Sequence, residues 1–182
     1  MIEVAVQKKR SRQLMDKFTD ILVQATANVD QEYFLLNVHG ADPVYRERVY
    51  CYELYHQMRC LWPPDCPYYL NGEVDKQRHP YFEENGSPKP DFLVHVPGAD
   101  ANYAVIEVKA RDPAAADMRK DVQTLLRFRE LGYERAVYLM YGNDPAEMQE
   151  RVAAAVEAAT LGAFELWIHP LPGEPAVPIE FG

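Results

Sequence analysis

The chain has 182 residues with 19 basic and 28 acidic side chains, a formal charge of −9, and is 48% hydrophobic and 26% charged. That length suits one compact domain, and the composition excludes a disordered or collagen-like chain. The negative charge argues against holding nucleic acid by a broad positive field. No apolar run approaches the roughly 20 residues of a membrane span, and Met1 to Arg12 holds no apolar signal segment. The expected location is therefore cytoplasmic, with no membrane partner. Cys51, Cys60 and Cys66 are too few and too odd in number for a disulfide framework and read as reduced thiols. The charge is uneven: Asp144 to Gly182 carries seven acids against Arg151 alone. The remainder is only mildly acidic, with bases at Lys8, Lys9, Arg10 and Arg12 and at Arg119, Lys120, Arg127 and Arg129.

From Lys9 to Asn28, Leu14, Phe18, Ile21, Leu22 and Ala25 recur at spacings of three and four, which predicts an amphipathic helix. Asp42-Pro43 reads as an N-cap with proline at the first helical position, opening a second helix that Pro63-Pro64 stops near Trp62. Strand-like runs follow at Leu70 to Lys76, Asp91 to Val96 and Tyr103 to Ala110, the last two joined as a hairpin through Pro97-Gly98-Ala99-Asp100. Gln77 to Lys89 between them is polar and reads as a loop. Asp112-Pro113 caps a third helix that Gly132 closes, and Ala136 to Tyr141 is a strand. Asp144-Pro145 opens a fourth helix reaching towards Gly162, Ala163 to Ile168 is a last strand, and the proline-rich stretch from Pro170 to Gly182 reads as an extended tail. The order predicts an α/β fold in one domain over residues 1–182, with a helical extension over about 1–40 and a tail over about 170–182.

Side chains two apart on a strand share a face. Asp91, Leu93 and His95 therefore point one way, as do Val105, Glu107 and Lys109. If the two strands pair as a hairpin, Asp91 and Glu107 converge with Lys109 beside them. Two carboxylates and an ammonium are costly to bury unless they serve one another or a metal. Hard oxygen ligands suit Mg²⁺, which neutralises charge on a phosphate, while a lysine orients the attacking water; the chemistry suggested is phosphodiester hydrolysis.

Pro90-Asp91, then fifteen residues, then Glu107-Val108-Lys109 resembles the motif of the PD-(D/E)XK nuclease superfamily, whose restriction-endonuclease-like fold is a mixed β-sheet with an α-β-β-β-α-β core flanked by helices. The resemblance covers about Asp42 to Tyr141. It implies a Mg²⁺-dependent nuclease, with Mn²⁺ substituting, acting on nucleic acid and on DNA first. Asp91 and Glu107 would hold the metal and Lys109 the water. The extra acid that the family often supplies from the first helix would be Glu53, preferred to Glu47 because Val49, His56 and Cys60 lie near it at helical spacing. His95, Gln123 and Glu73 are supporting candidates: His95 on the Asp91 face, Glu73 on the neighbouring strand with Asp75. Gln123 stands where helicase-linked members carry Gln-x-x-x-Tyr, although here the fourth residue on is Arg127. His56, Cys60 and Cys66 fit no compact zinc spacing.

The weak charge for a DNA enzyme points to a homodimer, to ends or single strands, or to recruitment by another protein subunit. The competing reading is a catalytically inactive nuclease fold acting as a protein-interaction or scaffold module. A third reading, an acidic DNA mimic, wants an exposed acidic array, whereas Ala153, Ala154 and Ala155 look like packing.

Overall fold

A computed structural model describes residues 17–73, 89–99 and 101–181. Its centre is a six-stranded mixed sheet in the order β3-β4-β5-β6-β7-β8. The strands are β3 (Tyr69–Gly72), β4 (Phe92–His95), β5 (Asn102–Lys109), β6 (Arg135–Tyr141), β7 (Glu165–His169) and β8 (Val177–Ile179). β3, β4 and β5 run antiparallel in turn, β6 and β7 continue parallel, and β8 returns antiparallel. A separate two-stranded ribbon joins β1 (Leu36–Val38) to β2 (Ala41–Val44).

Strand alternation sends two apolar sets to opposite faces of the sheet. On one face Phe92, Val94, Ala104, Ile106 and Val108 pack with Phe18, Leu22 and Ala25 of α1 (helical over 17–27), Phe34 of α2 (Gln31–Phe34), and Tyr50, Leu54 and Met58 of α3 (Glu47–Leu61). On the other, Leu93, Val105, Tyr138 and Met140 meet Met118, Val122, Leu125 and Phe128 of α4 (Ala115–Glu130) and Met148 and Val152 of α5 (Pro145–Ala155). The expected N-terminal helix is thus part of the core rather than an appendage. Leu14 lies outside the described residues.

Several local rules hold. Asp144 accepts the Glu147 amide at 3.0 Å and Pro145 opens α5, while Gly132, at φ 84°, ends α4. The Val96 amide closes the β4–β5 hairpin onto the Ala101 carbonyl at 2.9 Å.

Four boundaries differ from expectation. Asp112-Pro113 precedes α4 without capping it: the helix starts at Ala115 with Ala114 as its N-cap, while Asp112 sits at φ 56° and ion-pairs with Arg151 at 3.0 Å. Asp42-Pro43 does not cap a helix: it lies in β2, after a turn that Gly40 makes at φ 74°, and a proline is tolerated there because the ribbon has free edges. α3 instead starts at Glu47, with Arg46 as its N-cap. Residues 36–44 are accordingly a ribbon rather than helix. α5 stops at Ala155, short of Gly162, and a 3₁₀ turn over Ala158–Thr160 follows. The proline-rich end is no free tail. Val177 pairs with Ile168 in the edge strand β8, and the Ala176 amide donates to Thr26 Oγ1 at 2.9 Å. Pro178 fits because an edge strand leaves one row of amides unpaired.

A candidate acidic site at the end of strand β5

β4 and β5 pair with Leu93 opposite Val105 and Phe92 opposite Ile106; one further step in that register sets Asp91 against Glu107. The Val108 amide donates to Asp91 Oδ2 at 2.7 Å, fixing the carboxylate beside β5. Burial, first, and the nearby charges of Glu47 and Asp121 together raise the Asp91 carboxyl to about 6, the Val108 N–H and the Lys109 ammonium acting against them. Glu107, 9% exposed, is raised well above the usual carboxylate range by burial, by the Asp91 and Asp121 charges, and by a hydrogen bond it donates to Asp91 when protonated. Both shifts run the same way because two neighbouring carboxylates in a poorly solvated place each disfavour the other's charge.

Lys109, the last residue of β5, lies between two helices from opposite faces of the sheet. Its Nζ is 3.5 Å from Glu47 Oε1 on α3 and 3.2 Å from Asp121 Oδ2 on α4. Glu47 Oε1 also accepts the Ala110 amide at 3.3 Å, so the first turn of α3 is tied to the end of β5. Asp121 Oδ2 accepts the fully buried Tyr138 hydroxyl at 3.3 Å. Burial acts to lower the Lys109 ammonium, yet Asp121 and Glu47 outweigh it and raise the group.

Asp91, Glu107 and Lys109 come together at the end of β5, and the acid of α3 that reaches them is Glu47 rather than the expected Glu53. Glu53 accepts from Gln57 Nε2 at 2.6 Å along α3, and it is Glu47 that reaches Lys109. The buried face of α3 carries Tyr50, Cys51, Leu54 and Met58, whereas His56 and Cys60, which had drawn attention to Glu53, are exposed. Glu47 lies in line with that stripe, three residues before Tyr50 and four before Cys51, at its half-exposed end. Asp121 went unrecognised although the same signal marks it: Met118, Asp121, Val122 and Leu125 form one stripe at spacings of three and four, and an acid inside an apolar stripe has a local task.

The supporting candidates fall away from this cluster. His95 Nε2 lies 3.1 Å from Asn71 Oδ1 at the other end of β4. Gln123 is exposed on α4, two residues and so about 200° round the helix from Asp121. Glu73 keeps its backbone beside Asp91, its amide donating to the Asp91 carbonyl at 3.0 Å. It turns off the strand at φ 44° and ion-pairs with exposed Arg48 at 3.2 Å. Asp75 lies outside the described residues. Cys51, Cys60 and Cys66 are free thiols, and among the described residues no three His, Cys, Asp or Glu side chains form a preformed metal-holding group. Among the same residues no helix is long and apolar enough to cross a membrane.

The chain matches no family model, no curated protein and no solved structure.

Proposed function

We propose that this chain is a metal-dependent nuclease of restriction-endonuclease-like arrangement, hydrolysing phosphodiester bonds, most of all in DNA. The observation that carries the reading is the buried Asp91–Glu107 pair with Lys109 two residues on, all at one end of the sheet. The element order supports it: α3, the meander β3-β4-β5, α4 and the parallel strand β6 follow the α-β-β-β-α-β order that the motif implies.

The donor set fits a hard divalent cation. Its ligands are carboxylate oxygens, and the upward shift of both Asp91 and Glu107 marks a place where positive charge is favoured. Mg²⁺ is commonly held by one or two carboxylates, with water and substrate phosphate completing its shell, so two converging acids suffice. Asp91 and Glu107 would hold Mg²⁺ or Mn²⁺, which when bound supplies Lewis-acid stabilisation of charge on the scissile phosphate. Val108 N–H keeps the Asp91 carboxylate turned towards Glu107. Lys109 is placed to hold a water or phosphate oxygen, since Glu47 and Asp121 engage two of the three donors of its ammonium. Exposed Arg46 lies next to Glu47 in sequence and offers a positive contact for a nucleic-acid backbone, while Arg48 and Arg111 are ion-paired with Glu73 and Asp112.

Cleavage of plasmid, linear duplex, single-stranded DNA and RNA, with Mg²⁺ or Mn²⁺, tests this. Metal-dependent cutting lost in both Lys109→Ala and Asp91→Ala is the expected result. An inert wild type that binds neither metal by calorimetry overturns the reading in favour of an inactive scaffold of the same fold.

A further inference from the structure

Lys109 is held in an unusual way for a lysine at a strand end. Its four-carbon stem is flexible and its charge is a point, so nothing intrinsic fixes where the ammonium sits. Here the fixing comes from outside the strand. Asp121 Oδ2 is 3.2 Å from Nζ, with the lysine side chain 20% and the aspartate side chain 14% exposed. The same oxygen accepts the hydroxyl of Tyr138 at 3.3 Å. Tyr138 lies on β6 directly beside Glu107 in the parallel register and is fully buried. Three other buried tyrosine hydroxyls, those of Tyr103, Tyr133 and Tyr141, have no hydrogen-bond partner among the described residues, whereas Tyr138 donates to Asp121, so the aspartate is held from the core side as well as by Lys109.

We propose that Asp121, braced by Tyr138, is the positioning residue that aims the Lys109 ammonium at the reacting phosphate or water, so that α4 and β6 set the geometry of a group carried by β5. The proposal rests on the nuclease reading above. Glu47 supplies a second contact at 3.5 Å, but Asp121 is the nearer and less exposed partner and the only one of the two locked by a buried hydroxyl. A salt bridge kept only for stability would be poorly placed here. Partly buried ion pairs contribute little net stability, and this one ties down a residue that the proposed chemistry needs.

The test uses the full chain and two variants. Asp121→Asn keeps the size and an oxygen acceptor but removes the charge; it is expected to lower kcat by about 10- to 100-fold with KM nearly unchanged. Asp121→Glu, which restores the charge on a longer stem, is expected to recover part of the loss. A second readout is independent of cleavage: the rate at which acetic anhydride modifies Lys109, followed by peptide mass spectrometry. Asp121→Asn is expected to speed that modification several-fold relative to a surface lysine such as Lys120 in the same molecule. An active wild type whose kcat is unaffected by Asp121→Asn overturns the positioning role. So does an unchanged Lys109 modification rate, whether or not the protein cuts. If the wild type cuts nothing and binds neither metal while Lys109 is still released by Asp121→Asn, the brace stands and the nuclease reading fails.

Discussion

Asp91 Oδ2 accepts the amide of Val108 at 2.7 Å, so the residue that precedes β4 is fastened to the strand position between Glu107 and Lys109. One side chain thereby joins the strand that carries Glu107 and Lys109 to the carboxylate that precedes β4. Its cost is a carboxyl buried beside another carboxyl.

That cost has a sign. Asp91 is raised from its ordinary 3.8 to about 6, so in the metal-free protein the folded state holds a proton that the unfolded state has already lost. Stability from this group is full below about pH 4 and is lost as pH rises towards 6. Asp91→Asn keeps an acceptor for Val108 and removes the charge. At pH 8 without metal it is expected to be more stable than wild type by about 1 to 3 kcal/mol, an advantage that vanishes near pH 4. Denaturant titrations at the two pH values check this.

A cation at the pair reverses the order. Mg²⁺ or Mn²⁺ at a hundredfold excess over its Kd is expected to raise the wild-type Tm by about 5 to 10 °C. Lys109→Ala should keep that rise and Asp91→Asn should lose it. Scanning calorimetry with and without metal separates the three, and an unmoved wild-type Tm counts against a metal site.

Glu47 and Glu53 offer a direct comparison on one helix. Glu47 Oε1 contacts both Lys109 Nζ and the Ala110 amide, while Glu53 pairs with Gln57. In whatever cleavage assay the wild type satisfies, Glu47→Gln is expected to reduce turnover by about tenfold or more and Glu53→Gln to leave it within twofold. A larger loss from Glu53→Gln than from Glu47→Gln would argue for the Glu53 assignment that the sequence suggested.

Far from the acids, His169 is fully buried with its Nδ1 2.7 Å from the Tyr50 hydroxyl, and burial lowers it from 6.5 to about 4. The folded ring stays neutral where the unfolded one takes a proton, so its contribution to stability is complete above about pH 6.5 and is lost as pH falls towards 4. Asp91 acts in the opposite direction over much of that range. The slope is therefore read as a difference: His169→Gln, which keeps a partner for Tyr50, is expected to resist acid better than wild type between pH 6.5 and 4, by up to about 3 kcal/mol. Parallel acid profiles for the two proteins would refute it.

Gly142 closes β6 at φ 76°, and a Cβ there would lie 2.5 Å from Tyr45 Cε1. Tyr45 is wedged edge-on against Phe34 and Tyr141, so the ring cannot simply step aside. Gly142→Ala is expected to cost about 2 kcal/mol, from the left-handed backbone and the close contact together. Chemical denaturation of the two proteins measures it.

Much of this fold was legible in the sequence because local rules carried it. Period-two alternation placed β4, β5 and β6, and with the Pro97-Gly98 turn it put Asp91, Glu107 and Lys109 on one face before any tertiary contact was known. Asp144-Pro145 and Gly132 set helix ends through the backbone chemistry of their own neighbourhoods. Where a residue's role depends on a distant partner, local pattern gave out. Asp42-Pro43 has the chemistry of a helix start, but pairing with Leu36 to Val38 made it a strand, and the proline-rich end became β8 because β7 had an open edge to fill. Glu47 and Glu53 are both acids on one helix, and only the packing of Tyr50, Leu54 and Met58 against the sheet decides which of them faces Lys109. Asp121 reaches Lys109 for the same reason: α4 is bound to the sheet through Met118, Val122 and Leu125. Sequence alternation determined which side chains β5 presents, and helix docking decided which acids meet them, because the first depends on neighbours two residues apart and the second on surfaces brought together only by folding.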